Sequence, residues 1–190
     1  QPDFRVLIIA PRENIQRKWM KELGNLVRNN VRFADMRVKA LDGRPARPMV
    51  FCNSLISLAR ESTLNPNRDF FARLTSFSLA VSGKEMVDES AAKRLKDDIS
   101  GTLPWIRDEV FDRRNRTRFK DNVAKALCCA LPPFDLVIVD EGHNLKHGFS
   151  QSVSARNRVL ALAMGHPEGG RGDELFRGYG PRARRVLFLS

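Results

Sequence analysis

Several short runs of consecutive apolar residues occur along the chain, and each has the length of a β-strand. The stretches 4–10 (FRVLIIA), 134–140 (FDLVIVD) and 185–190 (RVLFLS) are largely apolar and rich in β-branched and other large apolar residues. That pattern is typical of strands buried on both faces of a parallel sheet. Residues 36–41 (MRVKAL) and 48–52 (PMVFC) predict two shorter strands around a Gly-Arg-Pro turn.

The segments after these runs have apolar residues at helical spacing. In residues 12–27 (RENIQRKWMKELGNLV), Lys and Arg fall on one side of a helix and an apolar stripe on the other. The stripe consists of Ile15, Trp19, Leu23 and Leu26. Residues 53–61 predict a short helix, and residues 154–165 predict another that ends at Gly165. Strands that alternate with helices predict an α/β fold with a parallel sheet.

Residues 65–132 depart from that alternation, and we interpret them as a helical insertion between strands. The stretches 68–77 (RDFFARLTSF) and 121–131 (DNVAKALCCAL) have helical patterns, and residues 107–120 are heavily charged. The pair Pro132–Pro133 ends the segment, because proline does not continue a helix. The next strand, 134–140, then resumes the sheet.

The charge balance favours a polyanionic partner. With 33 Lys and Arg against 22 Asp and Glu, the net charge is +11, and nucleic acid is the first candidate. A basic protein without such a partner is the alternative. The three cysteines Cys52, Cys128 and Cys129 do not form a disulfide framework, which fits a reducing cytoplasm. No signal peptide and no apolar run of membrane-spanning length is present, so we expect no membrane partner.

The strand 134–140 ends in two adjacent carboxylates, Asp140 and Glu141. Ligands of α/β sheets bind at the carboxyl ends of the strands. There, the first carboxylate can hold Mg²⁺, which prefers oxygen ligands, and the second can orient a water molecule for attack on a γ-phosphate. The alternative is a strand that simply ends in a solvated Asp-Glu turn.

The residues around this pair resemble known motifs. VIVDEGHNLK (137–146) resembles motif II, the DExH box, of superfamily-two helicases and translocases, including those of the Swi/Snf type, with Gly142 where the family usually has Ala. Residues 6–23 resemble motif Ia, with Ala10–Pro11, Trp19 and Glu22 at the matching places. PMVFCNSLISL (48–58) resembles the strand and turn of motif Ib, and RVLFLS resembles the start of motif III.

This resemblance implies a RecA-like P-loop NTPase domain and assigns roles to particular residues. Asp140 would hold Mg²⁺ through the nucleotide, Glu141 would position the attacking water, and His143 would link the nucleotide site to motif III. The cofactors of the complete protein would be ATP and Mg²⁺. The residues that would contact nucleic acid are Pro11, Arg12, Lys18, Asn53 and Ser54.

The P-loop that such a motor needs, G-x-x-x-x-G-K-[ST], does not occur in these residues. Residues 82–85 (SGKE) have Ser78 where the first Gly belongs and Glu85 in place of Ser or Thr. Residues 165–180 hold six of the twelve glycines but no Lys-Ser/Thr end, and predict a loop.

Because the chain begins and ends inside apolar strands, we expect residues 1–190 to be part of a first motor domain. The P-loop and the second motor domain would lie elsewhere in a longer parent, and ATP binding by these residues alone would be weak or absent.

Three functions remain open at this point. The first is part of an ATP-dependent nucleic-acid motor, a helicase or translocase, with DNA favoured over RNA. The second is a non-catalytic module that binds nucleic acid or a partner on a degenerate motor fold. The third is a P-loop ATPase that does not act on nucleic acid, against which the Ala-Pro of motif Ia and the net charge argue.

Two clusters keep alternative interpretations. The basic residues of 113–120 and 182–185 either contact phosphates or form a solvated surface. Cys128, Cys129, His143 and His147 could suggest zinc, but adjacent cysteines lack the usual C-x₂₋₄-C spacing, and buried helical cysteines are the better interpretation.

Overall fold

A computed structural model describes most of the chain. The described residues are 5–11, 13–29, 49–52, 54–64, 72–75, 89–112, 114, 116–145, 155–169 and 174–190. They contain five strands: β1 Val6–Ile9, β2 Met49–Phe51, β3 Ala72–Thr75, β4 Leu136–Val139 and β5 Val186–Phe188. The strands predicted at 4–10, 48–52, 134–140 and 185–190 are therefore confirmed, whereas the one predicted at 36–41 lies outside the described residues.

The five strands form one parallel sheet with the order β2-β3-β1-β4-β5. The central strand β1 pairs with β3 and β4, so that Ile8 lies opposite Leu74 on one side and Ile138 on the other. Leu7, Ile8 and Ile9 are at most 2 % exposed. Continuous apolar sequence is what a strand in this position requires, because neither of its faces meets water. The α/β parallel-sheet prediction is confirmed.

Helices cover both faces of the sheet. They are α1 Glu13–Asn29, α2 Leu55–Leu64, α3 Glu89–Thr102, α4 Arg116–Ala130 and α5 Ala155–Ala163. On one face, Trp19, Met20 and Leu23 of α1 pack against Ile8 and Ile138. The larger core lies on the other face, where the alternate strand residues meet the buried side chains of α2 to α5. The helical pattern predicted for residues 12–27 is confirmed, with Lys18 exposed on the outer side.

One prediction about residues 65–132 is wrong. The stretch 68–77, expected to be helical, contains strand β3, which lies between β2 and β1 in the sheet. Its apolar residues have helical spacing, but a four-residue strand is stabilised by its two neighbours and not by its own periodicity. The helix expected at 121–131 is confirmed and begins earlier, at Arg116. The segment therefore supplies a central strand as well as helices.

Helix α5 ends in a Schellman motif at the predicted glycine. Gly165 has φ of +83°, and the N–H groups of Gly165 and His166 donate to the carbonyl oxygens of Leu162 and Ala161. These two bonds satisfy carbonyl groups that the end of a helix leaves open. A Cβ at Gly165 would lie 1.9 Å from the carbonyl oxygen of Gly180, so glycine is required here for space as well as for conformation.

We expect Gly165→Ala to destabilise the fold far more than Gly178→Ala. Both glycines have φ of +83°, but a Cβ at Gly178 would meet nothing within 4 Å. Gly178→Ala should lower the free energy of unfolding only by the cost of placing a residue with a Cβ in the left-handed conformation, about 1–2 kcal/mol. Gly165→Ala adds an overlap with backbone atoms, typically a further 1–3 kcal/mol. Urea unfolding of the two variants measures the difference, and equal losses would contradict the close approach of Gly165 to Gly180.

Candidate functional site: an acidic turn at the carboxyl edge of the sheet

The two predicted carboxylates lie in a tight turn that two neighbouring strands hold in place. We define the acidic turn as residues 140–143. The Asp140 N–H donates to the carbonyl oxygen of Ile9, at the end of β1, over 2.9 Å, and the Gly142 N–H donates to that of Leu189, just after β5, over 2.6 Å. Since β1, β4 and β5 are parallel, the turn lies at the edge where all their carboxyl ends meet.

The Asp140 carboxylate accepts a hydrogen bond on each oxygen. The Trp19 indole N–H donates to Oδ2 over 2.6 Å, and the Glu141 backbone N–H donates to Oδ1 over 2.8 Å. Both donors are neutral, so they orient the carboxylate without cancelling its charge. Each carboxylate oxygen retains acceptor capacity that a cation can use.

Glu141 has an unusual backbone conformation. Its φ is +55°, and it is the only residue other than glycine with positive φ in the described part of the chain. For a residue with a Cβ, this conformation costs on the order of 1 kcal/mol. The side chain is 39 % exposed, and one carboxylate oxygen lies 3.3 Å from Nδ1 of His143, which is more exposed still. The turn therefore presents Glu141 and His143 together to solvent.

Two of the predicted nucleic-acid residues, Pro11 and Ser54, follow the ends of β1 and β2 at the same edge of the sheet. Pro11 follows β1 and is half-buried, while Lys18 is exposed on α1. Ser54 follows β2, but it is only 2 % exposed, and its hydroxyl accepts a hydrogen bond from the Ser57 N–H, as an N-cap of α2 does. Strands β2 and β4 are three positions apart, roughly 14 Å at ordinary strand spacing. Arg12 and Asn53 are outside the described residues.

The basic residues near the C-terminus are engaged in different ways. Arg182 donates to the carbonyl oxygen of Gly178 and to the Cys128 sulfur, so it helps to hold the loop before β5 against α4. Arg184 pairs with Asp135 over 3.2 Å, whereas Arg185 is exposed. In the other run, Arg114 and Arg118 are exposed. Both interpretations of the two basic runs therefore remain as predictions.

The cysteines fit the interpretation as buried helical residues. Cys128 is fully buried in α4. Burial and then the neighbouring Cys128 raise the pKa of Cys129 to about 12, which disfavours the thiolate form that binds metals. Within the described ranges, no group of three or more His, Cys, Asp or Glu side chains is placed to hold a metal ion. His147 lies outside them.

Strand β5 forms an open edge beside the acidic turn. Val186, Leu187 and Phe188 are 49 %, 45 % and 60 % exposed, and no described strand pairs with the outer side of β5. Arg185 and Leu189 hydrogen-bond to β4, so by alternation the backbone groups of Val186 and Phe188 point outward. An apolar groove of about 310 Å³ runs between β5 and α5 and reaches Leu145.

Comparisons of the chain with protein-family models, with curated proteins and with solved structures find no match. In the part of the chain that the structure describes, no helix is both long and apolar enough to cross a membrane.

The contact between Trp19 and Asp140 was missed by the sequence interpretation, which placed Trp19 in the core. The ring does pack in the core, but its N–H reaches the acidic turn, 121 residues away in sequence. A half-buried tryptophan needs an acceptor for its N–H. The sequence therefore contained a signal that an acceptor lies close to Trp19, but nothing in it identified Asp140 as that acceptor.

The glycine in the acidic turn is tightly enclosed, and we expect Gly142→Ala to destabilise the fold by about 1–3 kcal/mol, the usual range for overpacking. A Cβ there would lie 3.0 Å from Cδ1 of Phe188 and 3.3 Å from the carbonyl oxygen of Leu189. Adding Phe188→Ala should recover part of the loss. Gly101→Ala in α3 is the control, because its Cβ would meet nothing within 4 Å. Chemical unfolding of these variants tests the contact, and a neutral Gly142→Ala would contradict it.

Proposed function

We propose that the chain is part of an ATP-dependent motor that acts on nucleic acid, with duplex DNA as the favoured substrate and a RecA-like fold. The observation that carries this proposal is the acidic turn, in which Asp140 and a strained Glu141 follow β4, an inner strand of the sheet. Strained backbone tends to occur at functional sites, where the surrounding structure maintains it. A solvated turn would favour glycine or asparagine at this position.

The coordination chemistry of Asp140 supports Mg²⁺ bound together with a nucleotide. Mg²⁺ keeps several waters and commonly binds through one or two carboxylates plus phosphate oxygens, not through an all-protein cage. A single oriented carboxylate is suited to that arrangement, and the described residues offer no larger cluster. Glu141 follows directly, and its half-exposed carboxylate, which lies 3.3 Å from Nδ1 of His143, is placed to orient a water molecule in front of the phosphate.

The open edge at β5 supports a P-loop that comes from outside these 190 residues. A parallel strand with apolar residues exposed on both faces needs a further partner. A strand beside β5 would be two positions from β4, roughly 10 Å, whereas one beside β2 would be four positions away, roughly 19 Å. We infer that the P-loop strand of the parent pairs with β5, since only that side brings its phosphates near Asp140.

A non-catalytic module on a degenerate motor fold is the second candidate. The contact that favours it is the hydrogen bond from Trp19 to Asp140, because satisfying a half-buried indole is a structural reason to keep the aspartate. That reason does not extend to Glu141, so variants of Glu141 separate the two candidates.

In a longer chain that contains the P-loop, we expect Glu141→Gln to lower ATP hydrolysis by about 10²-fold or more, the range of a lost general base. ATP binding should survive, because the phosphate cradle and Asp140 are unchanged. Asp140→Asn should instead weaken the binding of Mg²⁺-ATP, since an anionic oxygen ligand is lost.

Steady-state ATPase assays with and without duplex DNA, together with calorimetry, distinguish these effects. Unchanged turnover in Glu141→Gln would contradict the role of Glu141 at the acidic turn, and no turnover above background in the unmodified longer chain would favour the non-catalytic module. His143→Ala should leave basal turnover largely intact and reduce its stimulation by DNA, if His143 links the site to motif III.

The 190-residue chain should bind duplex DNA weakly and in a salt-dependent way, because of its charge of +11. Counterion release lowers log K by about 0.9 per tenfold rise in salt for each phosphate neutralised. Lys18→Glu, on the exposed side of α1, should weaken binding more than Lys93→Glu, the same charge change on α3. Fluorescence anisotropy at several salt concentrations measures both effects. Equal weakening of DNA binding by the two variants would indicate that the DNA-binding surface does not include the exposed side of α1.

A further inference from the structure

Helix α1 carries two kinds of side chain that the proposed motor would use at once. Its outer side presents Lys18, a predicted phosphate contact. The next residue, Trp19, donates its indole N–H to Oδ2 of Asp140, the predicted Mg²⁺ ligand. One rigid element therefore connects the nucleic-acid side of the site to its metal side through two adjacent residues.

Packing holds the indole ring of Trp19 in place. Trp19 packs with Met20 and Leu23 against Ile8 and Ile138, which lie in the two central strands. Gln16, one turn earlier, is 5 % exposed, and its side-chain nitrogen donates to the carbonyl oxygen of Ala10 over 2.7 Å. Both contacts tie α1 to the strand ends, so a shift of α1 relative to the sheet would move the indole relative to Asp140.

The hydrogen bond fixes the carboxylate in a way that suits metal binding. With the Trp19 N–H on Oδ2 and the Glu141 N–H on Oδ1, rotation about both side-chain bonds of Asp140 is restricted. An arginine partner would orient the carboxylate equally well but would compete with a cation for its charge. Groups that orient a metal ligand from behind commonly change metal affinity or activity by 10–100-fold when they are removed.

We propose that Trp19 is a positioning residue that holds the Asp140 carboxylate and couples movement of α1 to it. Nucleic acid bound through Lys18 would act on the indole through this helix, and through the indole on how the carboxylate is presented to Mg²⁺. The metal step of this proposal rests on the proposed function. The response of the hydrogen bond to DNA rests on the nucleic-acid binding proposed there, whereas the hydrogen bond itself does not.

The first test uses the ¹H–¹⁵N spectrum of the 190-residue chain, which has two tryptophans and so two indole N–H signals. Trp105 packs against the larger core, on the opposite face of the sheet, and Trp105→Phe therefore identifies the Trp19 signal. Asp140→Asn should move the Trp19 indole proton upfield, because a neutral acceptor forms a weaker hydrogen bond. The Trp105 signal should stay in place. An unmoved Trp19 signal would overturn the proposal.

The second test adds a short DNA duplex to the same sample. The Trp19 signal should shift with saturation, and Lys18→Glu should reduce that shift. Movement of the Trp105 signal alone, or of neither signal under conditions where anisotropy shows binding, would overturn the coupling.

In the longer ATPase, Trp19→Phe keeps an aromatic ring but removes the donor. It should raise the Mg²⁺ concentration for half-maximal turnover by about 10-fold, while Trp105→Phe should not. An unchanged Mg²⁺ requirement would overturn the positioning role. Failure of the motor itself is recognised separately, by the absence of ATP turnover above background in the longer chain, and it would leave the response of the Trp19 signal to Asp140→Asn standing.

Discussion

The need to cover both faces of a parallel sheet determines the rest of this structure. Parallel strands are joined by crossovers, and the helices in those crossovers bury the sheet on both sides. Here α1 covers one face and α2 to α5 cover the other, so that Leu7, Ile8 and Ile9 of β1 are buried. The same connectivity sends every strand in one direction. All five carboxyl ends therefore meet at one edge, where residues distant in sequence become neighbours.

The two carboxylates of the acidic turn are stabilised for different reasons. Asp140 accepts hydrogen bonds from an indole and a backbone amide, which offset part of the cost of placing it at a half-buried strand end. Glu141 has a positive φ and a partly exposed side chain beside His143. Because folding alone explains Asp140 better than it explains Glu141, the case for chemistry at this edge depends mainly on Glu141.

Much of the fold was predictable where the sequence pattern is local. Strands β1, β4 and β5 are continuous apolar runs, and α1 has a clear apolar stripe. The sequence pattern alone therefore predicts these three strands and this helix. Strand β3 did not follow from the pattern, since it is short and depends on pairing with residues far away in sequence. The position of the acidic turn also followed from the sequence. Its contacts with Trp19 and Leu189 did not, because no local pattern encodes which distant donor or acceptor fills a given place.

The position of β3 changes what the segment 65–132 means for the domain. If that segment were only a helical insertion, removing it would leave β1 paired directly with β2. Instead, β3 separates them, and the buried residues of α3 and α4 belong to the larger core. Deleting the segment would expose one side of β1, the most buried strand, and would uncover the face on which Val137 and Val139 lie. Since the acidic turn follows β4 and is hydrogen-bonded to the end of β1, the segment supports the site although none of its described residues contacts Asp140 in a hydrogen bond.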